Sequence, residues 1–249
     1  MQRYKAIIAY DGTDFAGFQR QNQKRTVQGE LEQTLTRLNS GQEVIVHGSG
    51  RTDAGVHAQG QVIHFDMINH LPKEKLRFAL DTQSSDDISV SLVEKVTTDF
   101  HARYMPHEKC YQYTIDLKRA ADPLLRRYAW HYRYDLDFNL MREAITYLEG
   151  THDFTSFCAA GTQIQDKVRT IYQIKFDYDA QTEILKLTFY GNGFLYKMIR
   201  NLVGTILAVG NKRLMPTQVP KLLAAKDRNV CPPTAPAHGL CLLAVNYDV

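Results

Sequence analysis

The chain contains 249 residues, 44% hydrophobic and 23% charged, and this composition predicts a globular protein of one large or two small domains. A net charge of +3 is only mildly basic, and the longest apolar run, around residues 202–209, is too short to span a membrane. The four cysteines form neither a CxxC motif nor a dense disulfide framework, and the N-terminus lacks a basic segment followed by a long apolar run, so we expect a cytoplasmic protein.

Hydrophobic periodicity predicts a β-α-β-β-α-β order in the first half of the chain. Val27, Leu31 and Leu35 recur at helical spacing, and Thr26 is placed to cap the helix that they predict. The predicted strands cover residues 4–10, 44–48, 61–66 and 88–93, and the predicted helices cover 27–38 and 73–80. This order is that of the ferredoxin-like unit.

The second half predicts the same order with insertions. Its predicted strands cover residues 111–117, 170–177, 184–190 and 240–246, and its helices cover 136–148 and 194–209. A further strand at 127–132 and a short helix at 217–225 are also predicted. We therefore expect an α+β protein with antiparallel sheets flanked by helices. Its two ferredoxin-like domains, 1–106 and 107–249, join near Pro106 and leave a cleft between them for a site.

A glycine-rich segment at residues 48–61 carries a single carboxylate, Asp53, two residues after Arg51. Short β-branched and aromatic runs lie on either side, at 44–46 and 62–65, so we expect Asp53 on a loop held by a sheet. Ordinary turn chemistry is the alternative interpretation of an aspartate close to a glycine.

Residues 50–58, Gly-Arg-Thr-Asp-Ala-Gly-Val-His-Ala, resemble the signature of the tRNA pseudouridine synthase A (TruA) family. Further matching segments lie in order at 10–21, 25–28, 100–103, 109–113, 150–154, 193–204 and 234–240. The resemblance implies two ferredoxin-like halves whose sheets run together, and a homodimer. It also implies conversion of uridine to pseudouridine at nucleotides 38, 39 and 40, in the anticodon stem-loop of tRNA.

That isomerisation breaks the bond from uracil N1 to ribose C1′ and joins C5 to the same carbon, without redox change or group transfer. No cofactor is therefore expected, and the sequence contains neither a Gly-x-Gly-x-x-Gly nor a Walker pattern. No metal site is expected either, because His47, His57 and His64 lack a persuasive ligand spacing. We expect these histidines to form local hydrogen bonds.

One ionised carboxylate is the minimum reagent for this reaction, through attack on C1′ or addition to the uracil ring, and both routes stay open. The resemblance assigns Asp53 as the nucleophile and Arg200 as the cation that keeps it ionised. It also implies that Tyr111 stacks on the flipped uracil and is a candidate to take the C5 proton, that Leu240 packs on the other side of the base, and that Arg51 assists base flipping. Weaker candidates for tRNA contacts are Gln19, Arg20, Arg25, His57 and Arg103.

Without the resemblance, Tyr111 and Leu240 would be interpreted as core strand residues. The alternative for Arg200 is an ordinary helix-surface arginine, but the apolar residues around it predict a largely buried helix, in which an arginine needs a partner. Two other functions also stay open. One is a catalytically silent RNA-binding module, although residues 191–197 do not supply the aromatic pattern of an RRM. The other is a nucleoside hydrolase or DNA glycosylase, which would release free base. Residues 81–87 depart from the turn usual in the family, so we expect the geometry of that loop and any tRNA contact it makes to differ from the family's, while the Asp53 motif is unchanged.

Overall fold

The computed structural model of the chain describes residues 1–105, 107–162 and 164–247. The predicted α+β class is confirmed, with strands assembled into sheets and five α-helices within the described ranges. The chain divides into two compact units: unit 1 comprises residues 1–107 and 241–249, and unit 2 comprises 108–240. The predicted junction at Pro106 lies outside the described residues. No helix in the described part of the chain is long and apolar enough to cross a membrane.

Unit 1 is built on a sheet in which β1 lies between two antiparallel neighbours, β3 and β4. Its elements are β1 (Gln2–Tyr10), α1 (Val27–Leu38), β2 (His47–Gly48), β3 (His57–Met67), α2 (Lys73–Gln83), β4 (Ile88–Val96) and β10 (Leu240–Asn246). Strand β10 belongs to unit 1 from Cys241 onwards, and its first residue, Leu240, is the last residue of unit 2. β2 pairs antiparallel with β3, and β10 pairs parallel with it.

The hydrophobic core of unit 1 lies between this sheet and its helices. Alternate residues of β1 are buried from Tyr4 to Tyr10, as the two-residue period of a strand requires. The predicted helix at 27–38 is confirmed at both ends, and the side chain of Thr26 caps it by accepting the backbone N–H of Gly29.

The strand predicted at residues 44–48 is wrong for 44–46. Val44 and Val46 are buried, but the N–H of Val44 donates to the Thr36 hydroxyl at 3.2 Å and the N–H of Val46 donates to the Glu32 carboxylate at 3.1 Å. Side chains of α1 therefore satisfy backbone donors that a strand would pair with a neighbour. β3 begins at His57, four residues earlier than predicted, which shortens the loop that carries Asp53.

Unit 2 contains an antiparallel sheet in the order β5-β9-β8-β7, with β6 parallel to β5. Its elements are β5 (Glu108–Asp116), β6 (Trp130–His131), α3 (Phe138–Thr146), β7 (Gly150–Asp153), β8 (Val168–Asp179), β9 (Ile184–Gly191), α4 (Met198–Gly210) and α5 (Val219–Ala225). β7 was not predicted, because four residues give too short a hydrophobic pattern.

Helix α4 begins at Met198 rather than at the predicted residue 194. Gly193 and Lys197 both have positive φ angles, +146° and +60°, and a helix cannot pass through such residues. From Met198 onwards almost every residue of α4 is buried. The helix is therefore anchored over its whole length, with Arg200 in its first turn.

The compact units differ from the predicted domains at the C-terminus. The strand predicted at 240–246 is present as β10, but residues 241–249 group with unit 1. Cys241 and Leu242 pair with His57 and Ala58 of β3, and this pairing places β10 in the first sheet. Sequence order alone assigned the strand to the second half.

Buried His64 predicts a pH-dependent stability. Its Nδ1 accepts the backbone N–H of Ala102 at 3.1 Å, and burial, together with nearby His47 and His101, lowers its pKa from 6.5 to about 4. The unfolded chain therefore takes up a proton first as the pH falls below 6.5, and stability present above that pH is lost towards pH 4. We expect a loss of about 1 to 2 kcal/mol from this group between pH 7.5 and 5.

Urea unfolding at pH 7.5 and 5 measures this loss, with His64→Asn as the comparison. Asparagine retains an acceptor for the Ala102 N–H but does not titrate. When the pH is lowered from 7.5 to 5, the free energy of unfolding of the variant should therefore fall less than that of the wild type. Equal pH dependence in the two proteins would contradict the assignment.

Candidate active site

The loop at residues 49–56, here called the Asp53 loop, connects β2 to β3. Asp53 is half-buried and its carbonyl accepts the N–H of Val56 at 3.1 Å, which closes a tight turn. Gly55 within that turn has a φ of +77°, a conformation that favours glycine. Asp53 therefore lies at the start of a turn that leads directly into β3.

Hydrogen bonds fix the residues that precede Asp53. The Thr52 hydroxyl lies 2.9 Å from the buried hydroxyl of Tyr10, and the Thr52 carbonyl accepts the Phe18 N–H at 3.1 Å. Burial raises the pKa of Tyr10, so its hydroxyl stays protonated in this contact. The residue next to the carboxylate is thus held on both its side chain and its backbone.

The start of the Asp53 loop is held by β3. Ser49 donates its N–H to the Val62 carbonyl at 2.8 Å and its hydroxyl to Gln61 Oε1 at 2.6 Å. The Gln61 amide then donates to the Gly50 carbonyl at 3.0 Å. Gln61, a buried residue of β3, therefore fixes both Ser49 and Gly50 at the start of the loop.

Two glycines of the segment at 10–21 lie against the Asp53 loop. A Cβ at Gly12 would overlap the carbonyl of Val56, and a Cβ at Gly17 would lie 2.9 Å from the carbonyl oxygen of Thr52. Gly17 also has a φ of +100°. This segment therefore supports the Asp53 loop by backbone contact. The sequence indicated only the polar side chains of this region and did not predict that role.

His57 belongs to the same support. It is only 5% exposed, and its Nδ1 lies 3.0 Å from the backbone nitrogen of Gly12 and 3.1 Å from the Asp11 carboxylate. Because the ring is enclosed by the protein, its position suits packing of the loop better than the tRNA contact that we expected.

Two exposed arginines in or near this segment, Arg20 and Arg25, lie beside acidic side chains. Arg25 makes two hydrogen bonds to Asp87, at 2.6 and 2.9 Å, and one to Glu30 at 3.0 Å, and these contacts raise its pKa. Arg20 contacts Glu32 at 3.2 Å, and Gln19 is exposed beside it. These two guanidinium groups therefore offer less uncompensated charge to a phosphate than the sequence suggested.

The atypical segment at residues 81–87 takes part in this network. Asp87 binds Arg25 through its side chain and accepts the Asp11 N–H at its carbonyl at 3.0 Å. Asp81 accepts the Val90 N–H at 2.7 Å. Asp81 and Asp87 thus fix this loop inside unit 1.

In unit 2, Tyr111 and Tyr113 occupy one face of β5, because residues two apart on a strand point to the same side. Tyr111 is buried and meets Phe194 edge to face, with ring centroids 5.5 Å apart. Tyr113 donates its hydroxyl to the Pro236 carbonyl at 2.8 Å. Burial raises the pKa of Tyr113, and the positive charge of Arg200 acts in the opposite direction.

Arg200 is tied to the segment that precedes β10. Its Nε donates to the Ala235 carbonyl at 2.8 Å, and the Ala235 N–H donates to the Arg200 carbonyl at 3.1 Å. Gly239 follows, and a Cβ there would lie 2.7 Å from the Tyr113 ring. Leu240, the next residue, is buried. Arg200 and Tyr113 are therefore linked through the segment that precedes Leu240, whereas the contact shown for Tyr111 is with Phe194.

Arg51 and Arg103 are both exposed in unit 1. Partial burial and the nearby positive charge of Arg103 lower the pKa of Arg51, with Tyr104 also close enough to affect it. Within the described ranges no carboxylate forms an ion pair with either arginine. In contrast to Arg20 and Arg25, this pair presents uncompensated positive charge.

The profile of the family described as tRNA pseudouridine synthase matches residues 6–105 and 144–248 of the chain. The chain belongs to the tRNA pseudouridine synthase family. Proteins named tRNA pseudouridine synthase A from Streptococcus gordonii, Streptococcus suis and Streptococcus mutans are 57%, 58% and 56% identical to it over 248 residues. In each case the match covers 100% of both chains. The predicted family and enzyme class are thereby confirmed.

The contact between Gly17 and the Asp53 loop predicts that Gly17→Ala lowers turnover about 10- to 100-fold, since small displacements of a reacting group cost that much. Gly41→Ala is a matched control, because Gly41 also has a positive φ, +81°, but would meet no atom within 4 Å. Both variants should lose stability through backbone strain. Steady-state turnover, corrected for the folded fraction, separates the two, and equal turnover would contradict the supporting role of Gly17.

Proposed function

We propose that this protein isomerises uridine to pseudouridine in tRNA, at nucleotides 38, 39 and 40 of the anticodon stem-loop. The observation that carries the proposal is the single carboxylate of Asp53, held by backbone contacts inside the family's signature segment. Relatives named tRNA pseudouridine synthase A that match the full length of the chain support the substrate class.

The proposed reaction uses Asp53 as a nucleophile that forms a covalent adduct, either at ribose C1′ or on the uracil ring. In the C1′ route the carboxylate bonds to C1′ as the bond to N1 breaks, and uracil leaves as a delocalised anion. The base then rotates, C5 bonds to C1′, and the ester bond breaks to regenerate the carboxylate. Loss of the C5 proton and uptake of a proton at N1 then restore the conjugated ring. One carboxyl group suffices because this leaving group, unlike the alkoxide of a glycoside, needs no protonation.

The fixed Asp53 loop supports this role. A nucleophile acts fastest when its approach is set before the substrate binds, and the contacts of Thr52, Gly12 and Gly17 set it here. We propose that Arg200 supplies the positive charge that keeps the nucleophile ionised. Its Nε bond to Ala235 fixes the guanidinium on a buried helix, as that role requires.

We further propose that Tyr111 stacks on the flipped uracil and that Leu240 packs against the opposite face of the base. Phe194 packs edge to face against the Tyr111 ring, and Gly239, the residue before Leu240, lies against the Tyr113 ring. The Tyr111 hydroxyl is the candidate acceptor of the C5 proton. Arg51 assists extrusion of the base, which costs a few kcal/mol.

The proposed reaction needs no cofactor, and we propose a cytoplasmic homodimer as the active form.

The nucleophile assignment predicts that Asp53→Asn abolishes turnover and leaves tRNA affinity within about twofold of wild type, because asparagine keeps the shape but cannot attack. Tritium release from tRNA transcripts labelled at uracil C5 measures turnover, and filter binding measures affinity. Asp86→Asn, which removes an exposed carboxylate of unit 1, is the matched control and should retain full activity. Tritium release by Asp53→Asn at the wild-type rate would refute the assignment.

The proposed role of Arg200 predicts that Arg200→Gln lowers kcat by about 100-fold or more, with a much smaller change in KM for tRNA. Arg213→Gln, a change at an exposed arginine of the same unit, is the control. Thermal unfolding of both variants separates loss of chemistry from loss of the Ala235 hydrogen bond. A kcat for Arg200→Gln near the wild-type value would show that its charge does not serve the reaction.

Product analysis distinguishes the proposed isomerase from the two alternatives. A glycosylase would release free uracil, whereas the isomerase retains the base in the RNA. A silent RNA-binding protein would bind tRNA and release no tritium.

A further inference from the structure

Three histidines of unit 1 lie close together although the sequence separates them. His47 of β2, His64 of β3 and His101 offer ring nitrogens that all lie within 4.8 Å of one another. The rings of His47 and His64 are stacked with centroids 4.8 Å apart, and His101 meets His64 edge-on at 4.5 Å. Such proximity is typical of a metal site, which the sequence did not predict.

The hydrogen bonds of two of these rings favour a different function. The backbone N–H groups of Ala102 and Arg103 donate to Nδ1 of His64 and His101, at 3.1 and 3.2 Å. A neutral imidazole that accepts at Nδ1 carries its proton on Nε2, so Nε2 is a donor and not a metal ligand. Burial lowers the pKa of His64 to about 4 and also lowers that of His101, so both rings are neutral near pH 7. The cluster is therefore a rigid aromatic support.

Tyr104 lies on the outside of this support. Its ring stacks on His101 with centroids 4.3 Å apart and planes 29° from parallel, yet the residue is 75% exposed. Its backbone N–H donates to the His101 carbonyl at 3.2 Å, which sets the direction of the side chain. A tyrosine that is stacked on a neighbouring ring and still largely exposed presents a flat apolar surface.

Positive charge borders this surface. The Arg103 guanidinium lies 5.8 Å from the centre of the Tyr104 ring. Arg51 lies near both residues, since the charge of Arg103 helps to lower the Arg51 pKa and Tyr104 also affects it. Arg51 precedes Asp53 by two residues, which corresponds to at most about 7 Å of extended chain. The aromatic surface and the Asp53 loop are thus neighbours within unit 1.

We propose that the surface formed by Tyr104, His101, Arg51 and Arg103, here called the Tyr104 platform, binds an unpaired nucleotide of the RNA substrate that neighbours the target uridine. The nucleotide's base stacks on the Tyr104 ring, and the two arginines contact the flanking phosphates. Aromatic rings with nearby cations are the general means of binding single-stranded RNA without reading its sequence. The inference rests on the proposed function, since it assigns the platform to the same tRNA.

Stacking predicts a specific order of affinities. Tyr104→Ala should weaken binding of an anticodon stem-loop RNA by about 5- to 100-fold, whereas Tyr104→Phe should bind within about twofold of wild type, because only the ring is required. Tyr172→Ala removes a 48% exposed tyrosine from unit 2 and is the matched control. Arg103→Gln should reduce the slope of log affinity against log salt by about one.

Fluorescence anisotropy measures these affinities, and 2-aminopurine placed next to the target uridine reports the stacking directly. Quenching of 2-aminopurine by wild type and Tyr104→Phe, but not by Tyr104→Ala, is the expected result. Equal affinity and equal quenching for wild type and Tyr104→Ala would overturn the platform. So would a change in the oligomeric mass of Tyr104→Ala with unchanged RNA affinity, because the surface would then bind protein.

Tritium release from C5-labelled tRNA by the same proteins keeps the two proposals distinct. If the wild type is active and Tyr104→Ala binds and reacts as well as it does, the platform fails and the proposed function stands. If the wild type releases no tritium, the proposed function fails.

Discussion

The position of the Asp53 loop depends on close backbone contacts with the segment at residues 10–21. The two backbones lie so near each other that no Cβ fits between them. Gly12 and Gly17 lie against the carbonyls of Val56 and Thr52, on either side of the carboxylate. The buried hydrogen bond between Thr52 and Tyr10 then joins the loop to β1. Because Tyr10 ends β1, which lies between β3 and β4, the position of the loop that carries the proposed nucleophile depends on the sheet of unit 1.

Acidic neighbours decide which basic residues of unit 1 can serve a polyanion. Arg20 and Arg25 lie in a segment rich in polar residues, but glutamate and aspartate side chains compensate their charge. Partial burial and the positive charge of Arg103 lower the pKa of Arg51, and no carboxylate among the described residues pairs with either arginine. Since a phosphate binds where charge is unsatisfied, the proposed RNA surface includes the second pair and not the first.

The hydrogen bonds of unit 2 extend over residues far apart in sequence. Arg200 of α4 holds Ala235, the neighbouring Pro236 accepts the hydroxyl of Tyr113, and Gly239 lies on the same ring. The partners of Arg200 and Tyr113 are the backbone carbonyls of Ala235 and Pro236, and the contact at Gly239 depends on a missing side chain. Ala235, Pro236 and Gly239 therefore position Arg200 and Tyr113, and changes there would act through these two residues.

Much of the fold and the family could be predicted from the sequence by itself. Helix α1 and strand β10 have their predicted limits, since amphipathic periodicity and a capping threonine are local signals. The segment around Asp53 also predicted the family, because the sequence of residues 50–58 is a specific motif. Only the tertiary structure decided that residues 44–46 bond to α1, that β10 joins the first sheet, and that His57 is enclosed. The clustering of His47, His64 and His101 under Tyr104 is likewise a property of strand register and chain packing. Backbone partners and contacts across long stretches of sequence leave no local pattern, so only folding brings them together.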